Sequence, residues 1–227
     1  MISKDNSDAI SEISIGGSTF QYYILEGDKT AINTKYIRRD NDGNWYYGNN
    51  RIAKFGFADN SLLGEIETVT LPNGSKVVAM VRGNVAVQVD KVKKFMRGHS
   101  PDLSSTEKNE FDRLSKNEKT LSKAELALLN KLKDLKDNFD RSIAMKNDLE
   151  AVGLFDTDEA NNLIFNALLD AGDIAKKDGE RIRIVAVGSN GDVGLESVWA
   201  IYQDGTRYPK YMKTVWTKGT PRRGRGE

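Results

Sequence analysis

Cysteine is absent from the chain, and histidine occurs once, at His99. Without thiols the protein has no disulfide, no thiolate metal site and no cysteine nucleophile. One imidazole cannot build a histidine metal cage, and a serine–histidine relay would have to recruit His99 from the loop between Gly98 and Pro101. We therefore expect His99 to be an exposed loop residue, and we expect no bound metal and no cofactor.

Long apolar runs are also absent, since no stretch approaches the roughly 20 apolar residues that span a bilayer. The first residues, 1–8, lack the charged-then-apolar pattern of a secretion signal. We therefore expect a soluble protein without a membrane span. It would be cytoplasmic, or exported without a classical signal peptide.

Positive charge is concentrated at the carboxyl end. The whole chain has 34 Lys and Arg residues against 33 Asp and Glu residues, so only local charge can indicate a partner. From Gly205 onward there are seven basic residues and one acidic residue. Residues 218–227 are predicted to be a basic tail that either wraps phosphates or keeps a disordered end soluble. The candidate nucleic-acid-binding residues are Arg207, Lys210, Lys218, Arg222, Arg223 and Arg225.

Strand-forming residues dominate positions 1–97, where turn signals such as Asp42-Gly43 separate short runs rich in Ile, Val, Thr and Tyr. We predict a β-rich module here. The tract Asp42–Arg51 contains Gly-Asn-Trp-Tyr-Tyr and resembles one unit of the aromatic repeats of choline- and glucan-binding modules. A single such hairpin either presents Trp45 to a glycan or fills a sheet edge or a core.

Helix formers replace strand formers after Pro101. Ser104 with Glu107, and Ser122 with Glu125, fit capping boxes that begin two helices. We predict a helical hairpin over residues 98–152, either as a spacer or as a stripe that packs on a neighbouring sheet. The expected apolar stripe of the second helix comprises Leu128, Leu132, Leu135, Phe139 and Ile143.

Residues 153–217 are predicted to form an α+β unit. Thr157 should cap a helix over Asp158–Ala171, with Gly172 as its stop. The hairpin signals Asn190-Gly191 and Asp204-Gly205 join three expected strands: Arg181–Gly188, Val193–Gln203 and Thr206–Thr217. The fold class is therefore α+β: an N-terminal β-rich domain, a helical hairpin spacer, and a C-terminal helix with an antiparallel β-meander.

Side-chain alternation along the meander predicts that Arg183, Glu196 and Lys213 share its uncovered face. A carboxylate between two cations suits metal-independent RNA cleavage. Glu196 would take the proton of a ribose 2′-hydroxyl, and the cations would stabilise the charge of the phosphorane. The alternative is a set of exposed cross-strand ion pairs, each worth well under about 1 kcal/mol.

Five short segments between about residues 145 and 217 carry a resemblance: Leu149–Leu154, Asp156–Asn162, Val187–Gly191, Glu196–Trp199 and Asp204–Thr206. With the order helix, capped helix and meander, they resemble the C-terminal toxin domains of bacterial polymorphic toxins, specifically the barnase-like ribonuclease toxin superfamily. Many members use histidine on the sheet, whereas this chain has none there. The resemblance implies a histidine-free ribonuclease, an N-terminal module for delivery or docking, and a cognate immunity protein.

Two functions compete on these observations. The first is a ribonuclease toxin module that cleaves RNA by metal-independent acid/base chemistry at Arg183, Glu196 and Lys213. The alternative is a non-enzymatic component of a phage or mobile element that binds nucleic acid or a protein partner. RNA is the favoured ligand in both cases, and the first adds an immunity protein as a possible partner.

Overall fold

The computed structural model describes residues 20–27, 37–71 and 73–215. Within these ranges the chain forms ten strands and four α-helices, joined by short 3₁₀ turns. The strands are β1 Gln21–Leu25, β2 Ile37–Arg39, β3 Trp45–Tyr47, β4 Asn50–Phe57, β5 Glu65–Thr70, β6 Lys76–Arg82, β7 Val85–Gln88, β8 Arg181–Gly188, β9 Gly191–Ile201 and β10 Arg207–Thr214. The helices are α1 Val89–Lys93, α2 Ser105–Lys116, α3 Lys123–Ala151 and α4 Asp158–Ile174.

All ten strands belong to one sheet, in the order β2-β3-β4-β1-β8-β9-β10-β7-β6-β5. Neighbouring strands are antiparallel except β7 and β10, which are parallel. The α+β class is confirmed, but the predicted N-terminal strands do not form a sheet of their own. They flank the C-terminal meander on both sides, because β1 pairs with β8 and β7 pairs with β10.

Strand β4 has no counterpart in the sequence prediction. Its residues include Lys54 and Gly56, which interrupt the alternation of apolar and polar residues that predicts a strand. Gly56 is required by tertiary packing, since a Cβ at this position would overlap the ring and hydroxyl of Tyr22 on β1. The close approach of β1 and β4 requires glycine at position 56, and this glycine makes the strand difficult to recognise in the sequence.

Helix α4 is the centre of the main core and contacts seven strands of the sheet. Thr157 caps it as predicted, its hydroxyl accepting the amide N–H of Ala160. The helix continues to Ile174 and does not stop at Gly172. Gly172 lies inside the helix because a Cβ there would overlap Val85 and Trp199, so this glycine serves close packing instead of termination.

The helical hairpin is present, and both predicted capping boxes form. Its apolar stripe differs from the prediction: Leu132 is buried, but Leu128 is 38% exposed, and the other buried apolar residues of α3 are Leu129, Met145 and Leu149. Together with Leu103, Leu114 and Leu132, Leu129 forms a small core between the helices. The carboxyl half of α3 contributes Met145 and Leu149 to the main core, as the alternative of packing on a neighbouring sheet predicts.

The sheet has a helix face, which packs on α4, and an opposite outer face. Part of the outer face is covered by β3, since Tyr47 donates its hydroxyl to Asp192 of β9 at 2.7 Å and packs with Val185 and Val187 of β8. Trp45 is half-buried against the same cluster. This position favours the core interpretation of the aromatic hairpin over glycan binding. Each helix of the described ranges is too short or too polar to cross a bilayer.

Candidate nucleic-acid interface

Arg183, Glu196 and Lys213 lie side by side on the outer face, because Glu196 is in register with both cations. Arg183 Nη2 is 3.0 Å from Glu196 Oε2, and Lys213 Nζ is 3.3 Å from Glu196 Oε1. Arg181, which the sequence reasoning did not include, reaches the same carboxylate at 3.0 Å. Three cations therefore surround one anion.

The exposure of this cluster differs from the prediction. Glu196 and Arg183 are each only 3% exposed, so they do not lie on an uncovered surface. Only the side chains of Lys213 and Arg181 reach solvent, at 38% and 52% exposure. The carboxylate is therefore a buried anchor beneath cations, and the side chains of two of the three cations that pair with it remain exposed to solvent.

The electrostatics of Glu196 follow from this position. Burial disfavours its charged form, but the Lys213 ammonium and the Arg183 and Arg181 guanidinium groups outweigh burial and lower the pKa of Glu196. A carboxylate with a lowered pKa is a weaker base toward a ribose hydroxyl. The cluster is consequently better suited to holding cations in place than to removing a proton.

A β-bulge in β10 changes which residues face outward. Pairing with β9 passes from Pro209 to Tyr211, so Lys210 is the extra residue. Strict alternation would place Arg207 on the same side as Tyr211, but the bulge turns Arg207 to the helix face, where its Nε donates to the Ala175 carbonyl at 3.2 Å. The bulge also brings Tyr208, Tyr211 and Lys213 together on the outer face.

The predicted nucleic-acid-binding residues are therefore not on one surface. Lys210 is exposed and pairs with Asp178 at 3.3 Å, while Arg207 faces the other side of the sheet. The remaining predicted residues lie outside the described ranges: Lys218, Arg222, Arg223 and Arg225.

A groove of about 290 Å³ lies beside β10, between α1 and the carboxyl half of α3. Arg141 of α3 lines it, with its guanidinium carbon 4.9 Å from the ring centre of Tyr211 and 5.7 Å from that of Phe95. Arg141 also donates to the Asn138 side chain at 2.7 Å. The guanidinium group thus lies close to two aromatic rings beside β10.

Lys91 of α1 lines the same groove. Its Nζ lies 4.7 Å from the ring centre of Tyr208 and donates to the Pro209 carbonyl. Burial disfavours the ammonium and lowers the pKa of Lys91 to about 8. Within the described part of the chain, neither Lys91 nor Arg141 forms an ion pair with a carboxylate. An anion in the groove would be the charge partner that both cations lack.

Sequence reasoning missed Lys91 and Arg141 because each lies in a helix that reaches β10 only in the folded chain. The two-residue spacing of Tyr211 and Lys213 is the only local sign that both lie on one face of the sheet. Alternation does not predict that Tyr208 joins them, because the bulge shifts the strand by one residue. His99 is exposed as expected. Groups of three or more metal-ligating side chains are absent from the described ranges.

No protein-family model matches this sequence, and a search of curated proteins finds no similar chain.

Proposed function

We propose that the protein binds single-stranded nucleic acid, with RNA favoured, along the outer face beside β10. The observation that carries this proposal is the pair of cations without carboxylate partners, Lys91 and Arg141, each held against a tyrosine ring. Cationic grooves lined by aromatic side chains bind single strands by contacting phosphates and stacking bases.

The surface next to the groove extends this cationic character. Arg181 and Lys213 reach solvent from the three-cation cluster, which exceeds its single carboxylate by two positive charges. Tyr211 is level with Arg181 across the sheet, since each pairs with Val198 of β9. A strand crossing β8 to β10 would therefore meet phosphate-binding cations on both sides of an aromatic ring.

Binding can be measured by fluorescence anisotropy of a labelled single-stranded RNA, with single-stranded DNA and duplex RNA as comparisons. Tyr211→Ala should weaken binding by roughly 1–3 kcal/mol if a base stacks there. Arg141→Gln should weaken it and reduce the salt slope by about 0.7, the contribution of one phosphate contact on a single strand.

Lys119→Gln is the matched control, because Lys119 is exposed on the helical hairpin, outside the proposed interface. It removes the same charge as Arg141→Gln and should leave the affinity unchanged. Equal affinity of the wild type, Tyr211→Ala and Arg141→Gln would overturn the proposal, as would salt-independent binding.

RNA cleavage by a toxin module is the second candidate. It is favoured by the direct contacts of Glu196 with Arg183 and Lys213, and opposed by the burial of this carboxylate. In this reaction Glu196 would accept the 2′-hydroxyl proton, and the ribose oxygen would displace the 5′-oxygen of the next nucleotide to give a 2′,3′-cyclic phosphate. An immunity protein would then be expected to cover Lys213 and Arg181.

The full-length chain should be incubated with single-stranded RNA and with an all-deoxy copy, and products identified by mass spectrometry. Cyclic phosphate ends that disappear in Glu196→Gln would support cleavage. Intact RNA with the wild type, or cleavage that persists in Glu196→Gln, would overturn this assignment while leaving the binding proposal to its own test.

A further inference from the structure

A second cavity, of about 1020 Å³, opens where helix α4 ends. It is bounded by the end of β1, the starts of β8 and β10, and the segment that follows α4. Pockets that take small molecules have volumes of about 300–1,000 Å³. The cavity is thus large enough for a small organic ligand, and it is lined by different residues from the groove beside β10.

Part of the wall is apolar and rigid. Leu25, Ala175 and Ile182 line the cavity, and each is at most 5% exposed. Ala175 and Ile182 belong to the core on the helix face, so they form a preformed surface that can pack against the apolar or planar part of a ligand, whereas Leu25 belongs to the cluster on the outer face.

The acidic groups in the lining are already engaged. Glu26 pairs with Arg51 at 2.8 Å, and Asp173 pairs with Arg82 at 3.2 Å. Glu180 accepts the backbone N–H of Lys177 at 3.1 Å. Glu26 and Asp173 are therefore paired with arginines outside the lining, whereas Glu180 keeps its negative charge, and the lysine and arginine side chains of the lining still exceed it in number.

Three cations of the lining have no carboxylate partner among the described residues: Lys176, Lys177 and Arg207. Arg207 is oriented by its Nε, which donates to the Ala175 carbonyl at 3.2 Å. Its two terminal nitrogens make no protein hydrogen bond within the described ranges. Arg207 therefore has a fixed guanidinium with donors left over, which suits a carboxylate or phosphate group.

We propose that this cavity binds an organic anion, with the body of the ligand against Ala175 and Ile182 and its anionic group on Arg207 and Lys177. A nucleoside phosphate and a carboxylate amphiphile share this chemistry. The site shares Arg181 with the nucleic-acid interface, but Arg207 and Lys177 belong to the cavity alone.

The experiment uses the full chain and the dye 8-anilinonaphthalene-1-sulfonate, which combines an aromatic body with a sulfonate. Its fluorescence should saturate with one dye per chain. Arg207→Gln and Lys177→Gln should each weaken dye binding by about tenfold, the effect of losing one charged hydrogen bond. Lys177 is exposed, so Lys177→Gln preserves the fold even if Arg207→Gln does not.

Two controls separate this site from other surfaces. Tyr211→Ala should leave dye binding unchanged, since Tyr211 belongs to the nucleic-acid interface. Ile66→Ser removes an exposed apolar residue of β5, 63% exposed, and should also leave it unchanged. Dye binding that is lost in Ile66→Ser, or that is unaffected by Lys177→Gln, would overturn the proposal.

Competition identifies the class of ligand. Displacement of the dye by adenosine monophosphate assigns a nucleoside phosphate, and displacement by decanoate assigns a carboxylate amphiphile. Both results support the site. Failure of both to displace the dye, or equally effective displacement by inorganic phosphate, would show that the cavity does not recognise the body of an organic anion.

Discussion

Asp170 is a single residue that contacts side chains from three distant segments of the chain. It projects from the buried helix α4 and accepts hydrogen bonds from Tyr22, from Lys54 at 2.6 Å and from Arg82 at 2.5 Å. Lys54 and Arg82 belong to β4 and β6, which are on opposite sides of the sheet order. Burial and the bond to Asp170 raise the pKa of Tyr22, so its hydroxyl remains a donor.

Asp170→Asn should lower the free energy of unfolding by about 1–3 kcal/mol, because it removes the charged acceptor of three hydrogen bonds, from the buried Tyr22 and the partly exposed Lys54 and Arg82. Urea unfolding followed by tryptophan fluorescence measures this. Asp173→Asn is the control: its side chain is 43% exposed, and its pair with Arg82 should contribute under about 1 kcal/mol. Equal losses in the two variants would contradict this role of Asp170.

Glu196 makes stability depend on pH with a defined sign. Its pKa is lowered in the folded state, so its contribution is complete above the unfolded value of about 4.5 and is lost as the pH falls through the folded value. Wild type should therefore be more stable than Glu196→Gln at pH 7, and the difference should shrink below about pH 4. Urea midpoints at pH 7 and pH 3.5 test this, and a constant difference would refute it.

At the scale of elements, features that depend on neighbouring residues were predicted better than features that depend on how the strands pair. The capping boxes at Ser104 and Ser122 were read from four-residue patterns, and both form because they involve only neighbouring backbone groups. The strand β4 was missed because its Gly56 is required by Tyr22 on β1, a contact that no local pattern shows. The bulge of β10 was missed because strict side-chain alternation assumes an uninterrupted ladder between β9 and β10. The cluster of Arg183, Glu196 and Lys213 was predicted correctly because β8, β9 and β10 are consecutive in the sequence and pair through short turns. Its burial was not predicted, because alternation gives the face of a residue but not what covers that face.

At the scale of the helix, replacing Gly172 with alanine should change the free energy of unfolding in the opposite direction from the usual Gly→Ala substitution. In an exposed helix, Gly→Ala stabilises by about 1 kcal/mol. At Gly172 the added methyl group would overlap Val85 and Trp199, both fully buried, so Gly172→Ala should destabilise by about 1–3 kcal/mol. Thermal unfolding monitored by circular dichroism measures the change. A raised melting temperature would show that the helix moves freely away from the sheet.

At the scale of the whole molecule, one sheet encloses α4 and joins both ends of the described chain. The sequence indicated most strands but not their order, since strand order depends on contacts between segments that no local pattern links. Division at residue 98 would remove β1 from β8 and β7 from β10. Function must therefore be tested on the complete chain.

A fragment comprising residues 98–227 is accordingly expected not to fold alone. It retains α4 but lacks the seven strands β1 to β7, which cover it or extend the sheet, so a large apolar surface would face water. Circular dichroism and amide exchange of the fragment, compared with the full chain, test this expectation. A cooperative unfolding transition in the isolated fragment would show that the C-terminal part is an autonomous domain.

The pairing of β1 with β8 also sets the timing of assembly. Tyr23 precedes its partner Val185 by about 160 residues, so β1 leaves the ribosome well before β8. During that interval β1 has no strand on one edge, and the sheet over α4 is incomplete. Such long sequence separations slow folding and prolong the exposure of unpaired edges. Nascent chains of this protein should therefore need chaperone protection until the last strands emerge.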